Sequence, residues 1–217
     1  KKYTKVNLTR PNYKMVEILS PFGPRISKLK FSSSLIKKIN LEVDRITSKK
    51  KLAKKFDYSK KLASQVKQEI SLPKSFVDKN LNKVIAKNIK NFINKTTGKT
   101  PKKIKIKNFW IVRQYSSDYN PIHYHDGHIS GVGYLKVPKL IFKGKKQTKT
   151  HGTIDFISGN KMFLNKSIFN HIPKVGDVLL FPNYLMHTVY PFSCKGERRS
   201  FSFNVEIDNN IANVFSK

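Results

Sequence analysis

The chain has 217 residues, of which 44 are Lys or Arg and 13 are Asp or Glu, so its formal net charge is +31. Hydrophobic residues make up 38% of the sequence, enough for a folded core, which excludes wholesale disorder. No run of about 18 apolar residues occurs, which excludes a membrane-spanning helix. The single cysteine, Cys194, cannot form an internal disulfide, and Lys1, Lys2 and Lys5 leave no apolar signal-peptide core. We therefore expect an intracellular protein that is not secreted.

The positive charge is concentrated in the first half of the chain. Residues 1–107 hold 30 Lys and Arg against six Asp and Glu, a formal charge of +24, whereas residues 108–217 carry only +7 and all six histidines. An AT-rich genome enriches a protein in lysine, but that bias does not remove acidic residues. The excess therefore predicts a polyanionic macromolecular partner, either a nucleic acid or a nucleoprotein.

The first half of the chain predicts three helices. Apolar residues repeat every three to four positions over 35–46, behind serines that are suited to cap a helix. A weaker stripe of the same period covers 62–70. The clearest stripe covers 77–93, with Ser75 as its expected N-cap and Gly98 just past its end.

From residue 104 the apolar period changes to two, which is typical of strands. Segments in which apolar residues recur at every second position cover 104–114, 131–137, 152–157, 177–181, 187–191 and 198–206. Because Gly, Pro and Asn turns separate them and no helix-length crossover intervenes, an antiparallel arrangement is favoured over a parallel sheet. The predicted fold class is α+β, with a jelly-roll core at residues 104–217. The basic, mostly helical region of residues 1–103 is expected to pack on one of its sheets.

Two histidines in the segment NPIHYHDGHISGVGYLKVP have a spacing that suits metal binding. His123 and His125 are two residues apart, so in an extended chain they project from one face with Cα atoms about 6.6 Å apart. Both imidazoles can then reach one metal ion. A third histidine, His187, follows the strand of GDVLLFPNYLMHTVYPF.

The next segment, GERRSFSFN, places polar residues on one strand face. Arg198 and Ser200 share that face, whereas Arg199 shares the other face with two phenylalanines. If the polar face points into the roll, a buried guanidinium lies beside a hydroxyl. Such a pair is costly to bury unless it binds an anion.

The order of these motifs resembles that of the 2-oxoglutarate- and Fe(II)-dependent oxygenases, particularly the branch with many members in phages and marine microbes. The similarity covers roughly residues 108–208 and extends more loosely back through SPFGPRI at 20–26. It implies a double-stranded β-helix that uses Fe(II) and 2-oxoglutarate as cofactors.

The resemblance also implies roles for single residues. By position, His123 matches the first metal ligand and His187 the distal one. Arg198 matches the arginine that pairs with the far carboxylate of 2-oxoglutarate, and Ser200 is its hydroxyl neighbour. Tyr134 is placed to reach the same cofactor, although packing accounts for it equally well.

The second metal ligand departs from the usual family pattern. Most members have His-x-Asp or His-x-Glu, and this chain has His125 where the carboxylate would stand. A three-histidine site can bind iron, with one negative charge fewer. Alternatively, Asp126 supplies the carboxylate if the backbone turns immediately after His125.

The sequence thus supports two hypotheses on function. The first is a 2-oxoglutarate- and Fe(II)-dependent dioxygenase that hydroxylates a macromolecular substrate. The second is a basic structural or binding protein of a nucleoprotein assembly, such as a ribosome or virion, that retains the oxygenase fold.

Overall fold

The computed structural model of the protein describes residues 22–62, 64–139 and 151–213. The early part of the segment with looser family similarity, before residue 22, lies outside these ranges. The described elements, in chain order, are β1 (Ser27–Lys30), α1 (Ser33–Thr47), α2 (Lys50–Lys55), a 3₁₀ turn (Ser59–Lys61), β2 (Gln68–Ser71), α3 (Lys74–Asn80), α4 (Asn82–Thr97), β3 (Ile104–Gln114), β4 (Asn120–His123), β5 (Ile129–Lys136), β6 (Ile154–Ile157), β7 (Ile168–His171), β8 (Asp177–Pro182), β9 (Met186–Val189), β10 (Arg198–Ile207) and α5 (Asn209–Ala212).

The strands form two antiparallel sheets. The larger sheet has the order β1-β8-β5-β10-β3-β2, and the smaller has the order β4-β9-β6-β7. Each of the six predicted strand segments contains a strand, and the predicted α+β jelly roll is confirmed. The structure adds β1 and β2 from the first half of the chain, which form the two edges of the larger sheet.

Helix α1 follows the predicted pattern closely. Ser32 is its N-cap, and the Ser32 hydroxyl accepts a hydrogen bond from the backbone N–H of Leu35 at 3.3 Å. The apolar stripe is buried against the sheet, with Ile39, Val43 and Ile46 fully covered. The lysines lie on the opposite, exposed face.

The other two predicted helices are corrected by the structure. The stripe over 62–70 is not a helix, because its C-terminal end pairs with β3 as strand β2. The stripe over 77–93 is divided between α3 and α4, which meet at Leu81. Ser75 is not an N-cap, since α3 already begins at Lys74. Gly98 ends α4 as expected, with a left-handed φ of 73°.

The helices cover one face of the larger sheet. Strand β10 contributes Phe201 and Phe203 to the apolar cluster that joins helices and sheet. Gly131 and Gly133 on β5 make room for these rings, because a Cβ at either position would lie 2.2 Å from a ring carbon. The opposite face of the sheet packs against the smaller sheet, and the candidate site lies between the two. The domain boundary at residues 103 and 104 stays a prediction.

Candidate metal centre

Three histidines converge between the sheets. His123 ends β4 and is the register partner of His187 on β9, and His125 follows in the turn after β4. One ring nitrogen from each histidine lies within 4.8 Å of the other two. His125 Nε2 and His187 Nε2 are 3.0 Å apart. The structure therefore brings together the three histidines singled out by the sequence.

Backbone carbonyls orient two of these rings. The Nδ1 atom of His123 lies 2.7 Å from the carbonyl oxygen of Pro121, and the Nδ1 atom of His187 lies 2.9 Å from that of Leu185. A carbonyl only accepts, so each Nδ1 carries the proton and donates it. The Nε2 lone pairs are then left for a ligand, which is the usual arrangement of a metal-binding histidine.

Burial keeps the three imidazoles neutral. It lowers the pKa of His125 to about 3 and that of His187 to about 4, and repulsion between the rings acts in the same direction. The pKa of His123 is also lowered by burial. Metal binding requires unprotonated imidazole, so the cluster has the correct protonation state at neutral pH.

The cluster fits a divalent metal ion. Two nitrogens bound at about 2.1 Å and at right angles to each other lie about 3.0 Å apart. The observed separation of His125 Nε2 and His187 Nε2 is 3.0 Å. Without a metal this contact is a hydrogen bond, in which His125 Nε2–H donates to the free Nε2 of His187. A metal ion bound by both nitrogens would replace that proton. These residues are therefore suited to hold a metal, and their assignment as ligands stays a prediction.

Asp126, the alternative ligand, points elsewhere. Its carboxylate accepts a hydrogen bond from Lys107 Nζ at 2.7 Å, and another from the backbone N–H of Gly127. The side chain is 73% exposed. It takes no part in the histidine cluster, so the geometry favours His125 over Asp126 as the second metal ligand.

A cavity of about 250 Å³ adjoins the cluster, and Arg198 and Ser200 line it. Arg198 is buried, and its Nη1 donates to the carbonyl oxygen of Gly152 at 2.9 Å. Within the described ranges its Nε has no hydrogen-bond partner and no acidic side chain pairs with it. Arg198 is thus a buried cation that the described residues leave without a counter-ion, and it is suited to bind an anion.

Tyr134 lies beside this arginine. Its ring centroid is 5.6 Å from the Arg198 guanidinium carbon, and its backbone pairs with that of Ser200. Burial raises the pKa of Tyr134 to about 12, so the phenol stays protonated. No group in the described part of the chain forms a hydrogen bond with its hydroxyl. The unsatisfied Arg198 Nε is a donor suited to a carboxylate. Tyr134 is not among the residues that line the cavity, and its predicted contact with 2-oxoglutarate stays a prediction.

The cavity also has residues that the sequence did not indicate as functional. Glu69 and Ser64 line it from β2 and the segment before that strand, and Trp110 lines it from β3. Because the period of segment 62–70 predicts a helix, the sequence does not place Glu69 near the histidines. Trp110 is a strand residue suited to the core, and it is both buried and in contact with His125 at a ring-centroid distance of 5.5 Å.

A jelly roll that brings a histidine cluster and an unpaired buried arginine into one cavity has the features of a metal- and keto-acid-dependent oxygenase. Residues 108–204 match the family model described as "Putative 2OG-Fe(II) oxygenase". The resemblance to the 2-oxoglutarate/Fe(II)-dependent oxygenases is therefore confirmed over these residues, and with it the enzyme class. Fe(II) and 2-oxoglutarate are the cofactors of this family. No curated protein sequence matches the chain significantly.

Solved structures share the fold at low identity. A prolyl-4-hydroxylase from Pseudomonas putida is 13% identical, with a TM-score of 0.55 over 82% of this chain and 91% of that one. A prolyl hydroxylase from Trichoplax adhaerens, in complex with a peptide fragment of hypoxia inducible factor, is 10% identical, with a TM-score of 0.58 over 88% and 87%. HygX from Streptomyces hygroscopicus, with nickel, 2-oxoglutarate and hygromycin B bound, is 12% identical, with a TM-score of 0.55 over 83% and 82%. At these identities the likeness concerns the fold.

Proposed function

We propose that the protein is a 2-oxoglutarate- and Fe(II)-dependent dioxygenase that hydroxylates a macromolecular substrate. One observation carries this proposal: three neutral histidines line the same cavity as a buried arginine that no described acidic side chain pairs with. The first group suits a divalent metal and the second suits the carboxylate of a keto acid. Their coexistence supports catalysis over a purely structural use of the fold.

Each group has a separate task in this proposal. With Fe(II) and 2-oxoglutarate bound, the reaction consumes O₂, places one oxygen atom in succinate with release of CO₂, and inserts the other into a C–H bond of the substrate. His123, His125 and His187 would hold the metal through Nε2. Arg198 would bind the far carboxylate, assisted by the Ser200 hydroxyl. The apolar wall of the cavity excludes water from the reacting atoms.

Two observations support a macromolecular substrate. One of the similar structures contains a peptide fragment, and two of them are prolyl hydroxylases by name. At the cavity, Tyr124 is 70% exposed. Exposed apolar groups next to a reactive cavity are suited to contact a larger partner.

The basic helices support a polyanionic partner. Helices α1, α2 and α4 turn their lysines to the solvent, with Lys37, Lys54 and Lys87 among the exposed ones. Such a surface favours nucleic acid or nucleoprotein, with affinity that falls steeply as salt increases. Filter binding to RNA and DNA across a salt series checks this, and a lack of affinity at low salt would count against it.

An intracellular location belongs to the same proposal. Cys194 is a free thiol, as is usual in a reducing compartment. In the described ranges, every helix falls short of the length and apolarity needed to cross a membrane.

Conversion of 2-oxoglutarate to succinate tests the enzymatic proposal. We expect the wild type to turn over 2-oxoglutarate when Fe(II) is added, and His187→Ala to lose turnover and metal binding. His128→Asn is the matched control, because His128 lies outside the cluster and its Nδ1 accepts a hydrogen bond from the Ile207 N–H, which an asparagine oxygen can replace. Absence of metal binding and of turnover in the wild type would refute the proposal.

A further inference from the structure

Glu69 occupies a position that the proposed chemistry does not use. It lies on β2, outside the residues that match the family model, and its backbone pairs with Val112 on β3. Val112 in turn pairs with Ser200 on β10. Paired residues on neighbouring strands project to the same side, so Glu69 and Ser200 face the same cavity, with Cα atoms about 10 Å apart.

The Glu69 carboxylate is buried without a positive partner among the described residues. The residue is 1% exposed. Its Oε2 accepts a hydrogen bond from the Ser64 hydroxyl at 2.5 Å, and among the side chains that the structure describes no Lys, Arg or His forms an ion pair with it. This is unexpected in a chain with 44 Lys and Arg. A buried carboxylate that lines a cavity and lacks a counter-ion is suited to bind a cation that enters the cavity.

The protonation of Glu69 agrees with this role. Burial raises its pKa to about 7, the Ser64 hydrogen bond opposes the shift, and the charge of Asp57 adds to it. The other ionisable groups that line the cavity are Tyr124, the three histidines, whose pKa values are lowered, and Arg198. An incoming cation therefore meets one carboxyl group, which it stabilises in the ionised form.

The cavity thus has two ends of opposite character. Arg198 and Ser200 form the end that suits an anion, and Glu69 with Ser64 forms the other. The aromatic ring of Trp110 lies on the same wall and contacts Tyr58 at a centroid distance of 6.0 Å. Aromatic faces attract cations, so this wall also favours a positively charged group.

We propose that Glu69, oriented by Ser64, binds a positively charged nitrogen of the substrate, either an ammonium or a guanidinium group. The carbon atoms next to that nitrogen would then face the histidine cluster. This inference rests on the proposed function for the identity of the site, but its test does not require turnover.

The test uses small cations as probes. Wild-type protein loaded with Ni(II) and 2-oxoglutarate is titrated with n-butylammonium, ethylguanidinium and, as the neutral analogue, n-butanol, and binding is followed by NMR line shifts. We expect the wild type to bind both cations more tightly than n-butanol. Glu69→Gln should weaken cation binding by about tenfold or more, since a charge-assisted hydrogen bond is lost. Glu206→Gln is the control, because Glu206 is an exposed carboxylate paired with Lys107.

Parallel measurements distinguish substrate-cation binding by Glu69 from a role in metal binding. Equal affinity of wild type and Glu69→Gln for the cations overturns the proposal. A loss of Ni(II) affinity in Glu69→Gln without a change in cation binding overturns it as well, because the carboxylate would then serve the metal. Ser64→Ala keeps the Glu69 carboxylate but removes the hydrogen bond that orients it, so we expect a smaller loss of cation affinity. If Glu69→Gln does not fold, this variant tests the proposal in its place, and unchanged cation affinity would overturn it. Cation binding without any turnover would contradict the proposed function and leave this inference standing.

Discussion

The two faces of strand β10 differ in how their charges are compensated. Arg199 points to the helices, where its guanidinium binds the carboxylates of Glu197 and Asp44 at 2.8 and 2.7 Å. Arg198, the preceding residue, points into the cavity, and its one hydrogen-bond partner among the described residues is the backbone carbonyl of Gly152. Both arginines are buried. The compensated charge of Arg199 therefore belongs to the packing of helices on the sheet, whereas the uncompensated charge of Arg198 is suited to bind a ligand.

The largest effect should come from the helix-facing side of β10. Phe201→Ala removes a fully buried ring that stacks on Phe31 and Phe109, and we expect the free energy of unfolding to fall by about 3–5 kcal/mol. Urea denaturation measures this. Metal affinity of the folded variant should stay within about twofold of wild type, because the ring lies on the other face of the sheet. A variant that keeps its stability but loses metal binding would show that the two faces of β10 do not have separate roles.

The cavity-facing side should behave in the opposite way. Arg198→Met is expected to weaken 2-oxoglutarate binding about thirtyfold, because charge-assisted hydrogen bonds to the carboxylate are lost. Stability should be equal or higher, since a buried cation without a described counter-ion is removed. Calorimetric titration of the Ni(II)-loaded protein measures the affinity.

Arg199→Met is the matched control for that variant. It leaves the half-buried carboxylate of Glu197 with one cation fewer, so stability should fall by about 2 kcal/mol while 2-oxoglutarate affinity is retained. If the two arginine variants exchanged these phenotypes, the distinction between the faces would be wrong.

The pH dependence of stability tests whether burial raises the pKa of Glu69. Its pKa in the folded protein, about 7, lies above the ordinary value of 4.5, so between these values the folded state binds more protons than the unfolded state. The stabilisation from neutral Glu69 is complete below pH 4.5 and is lost as the pH rises towards 7. Relative to wild type, Glu69→Gln should therefore gain on the order of 2–3 kcal/mol between pH 4.5 and 8. Unfolding curves of both proteins test this, and parallel curves would show that burial does not perturb the carboxyl group.

The smallest effect is expected for Asp126→Asn. This carboxylate binds Lys107 at the surface and not the histidine cluster, so metal affinity should be unchanged within about twofold. A large loss of metal affinity would instead identify Asp126 as a ligand after a local rearrangement.

Much of the fold could be predicted from the sequence, because long strands with one apolar face alternate visibly. The four strands that escaped prediction, β1, β2, β4 and β7, have four residues each and lie at sheet edges. Strands β6 and β9 are equally short but lie inside the smaller sheet and bury two or three residues each, so they show an apolar pattern. Strands β1, β4 and β7 bury at most one residue each and show no such pattern. Near β2, the spacing of Leu62, Val66 and Ile70 is typical of a helix. Pairing with β3 nevertheless makes Gln68–Ser71 a strand.

The candidate site also contains residues that the sequence predicts and one that it does not. The histidines and Arg198 could be predicted because the spacing of His123 and His125 and the alternation along β10 are local patterns. Glu69 could not, because its place in the cavity depends on β2 pairing with β3 across more than 40 positions of chain, and no local pattern marks it. The absence of a counter-ion among the described residues around it is likewise visible only in three dimensions.

In the proposed function the three histidines and Arg198 form one site for a metal and 2-oxoglutarate. A crystal structure of the protein soaked anaerobically with Mn(II) and 2-oxoglutarate tests this directly through the anomalous signal of the metal. We predict one peak about 2.2 Å from Nε2 of His123, His125 and His187, with a carboxylate of 2-oxoglutarate on the Arg198 guanidinium. A metal bound away from these histidines, or 2-oxoglutarate bound away from Arg198, would contradict the claim.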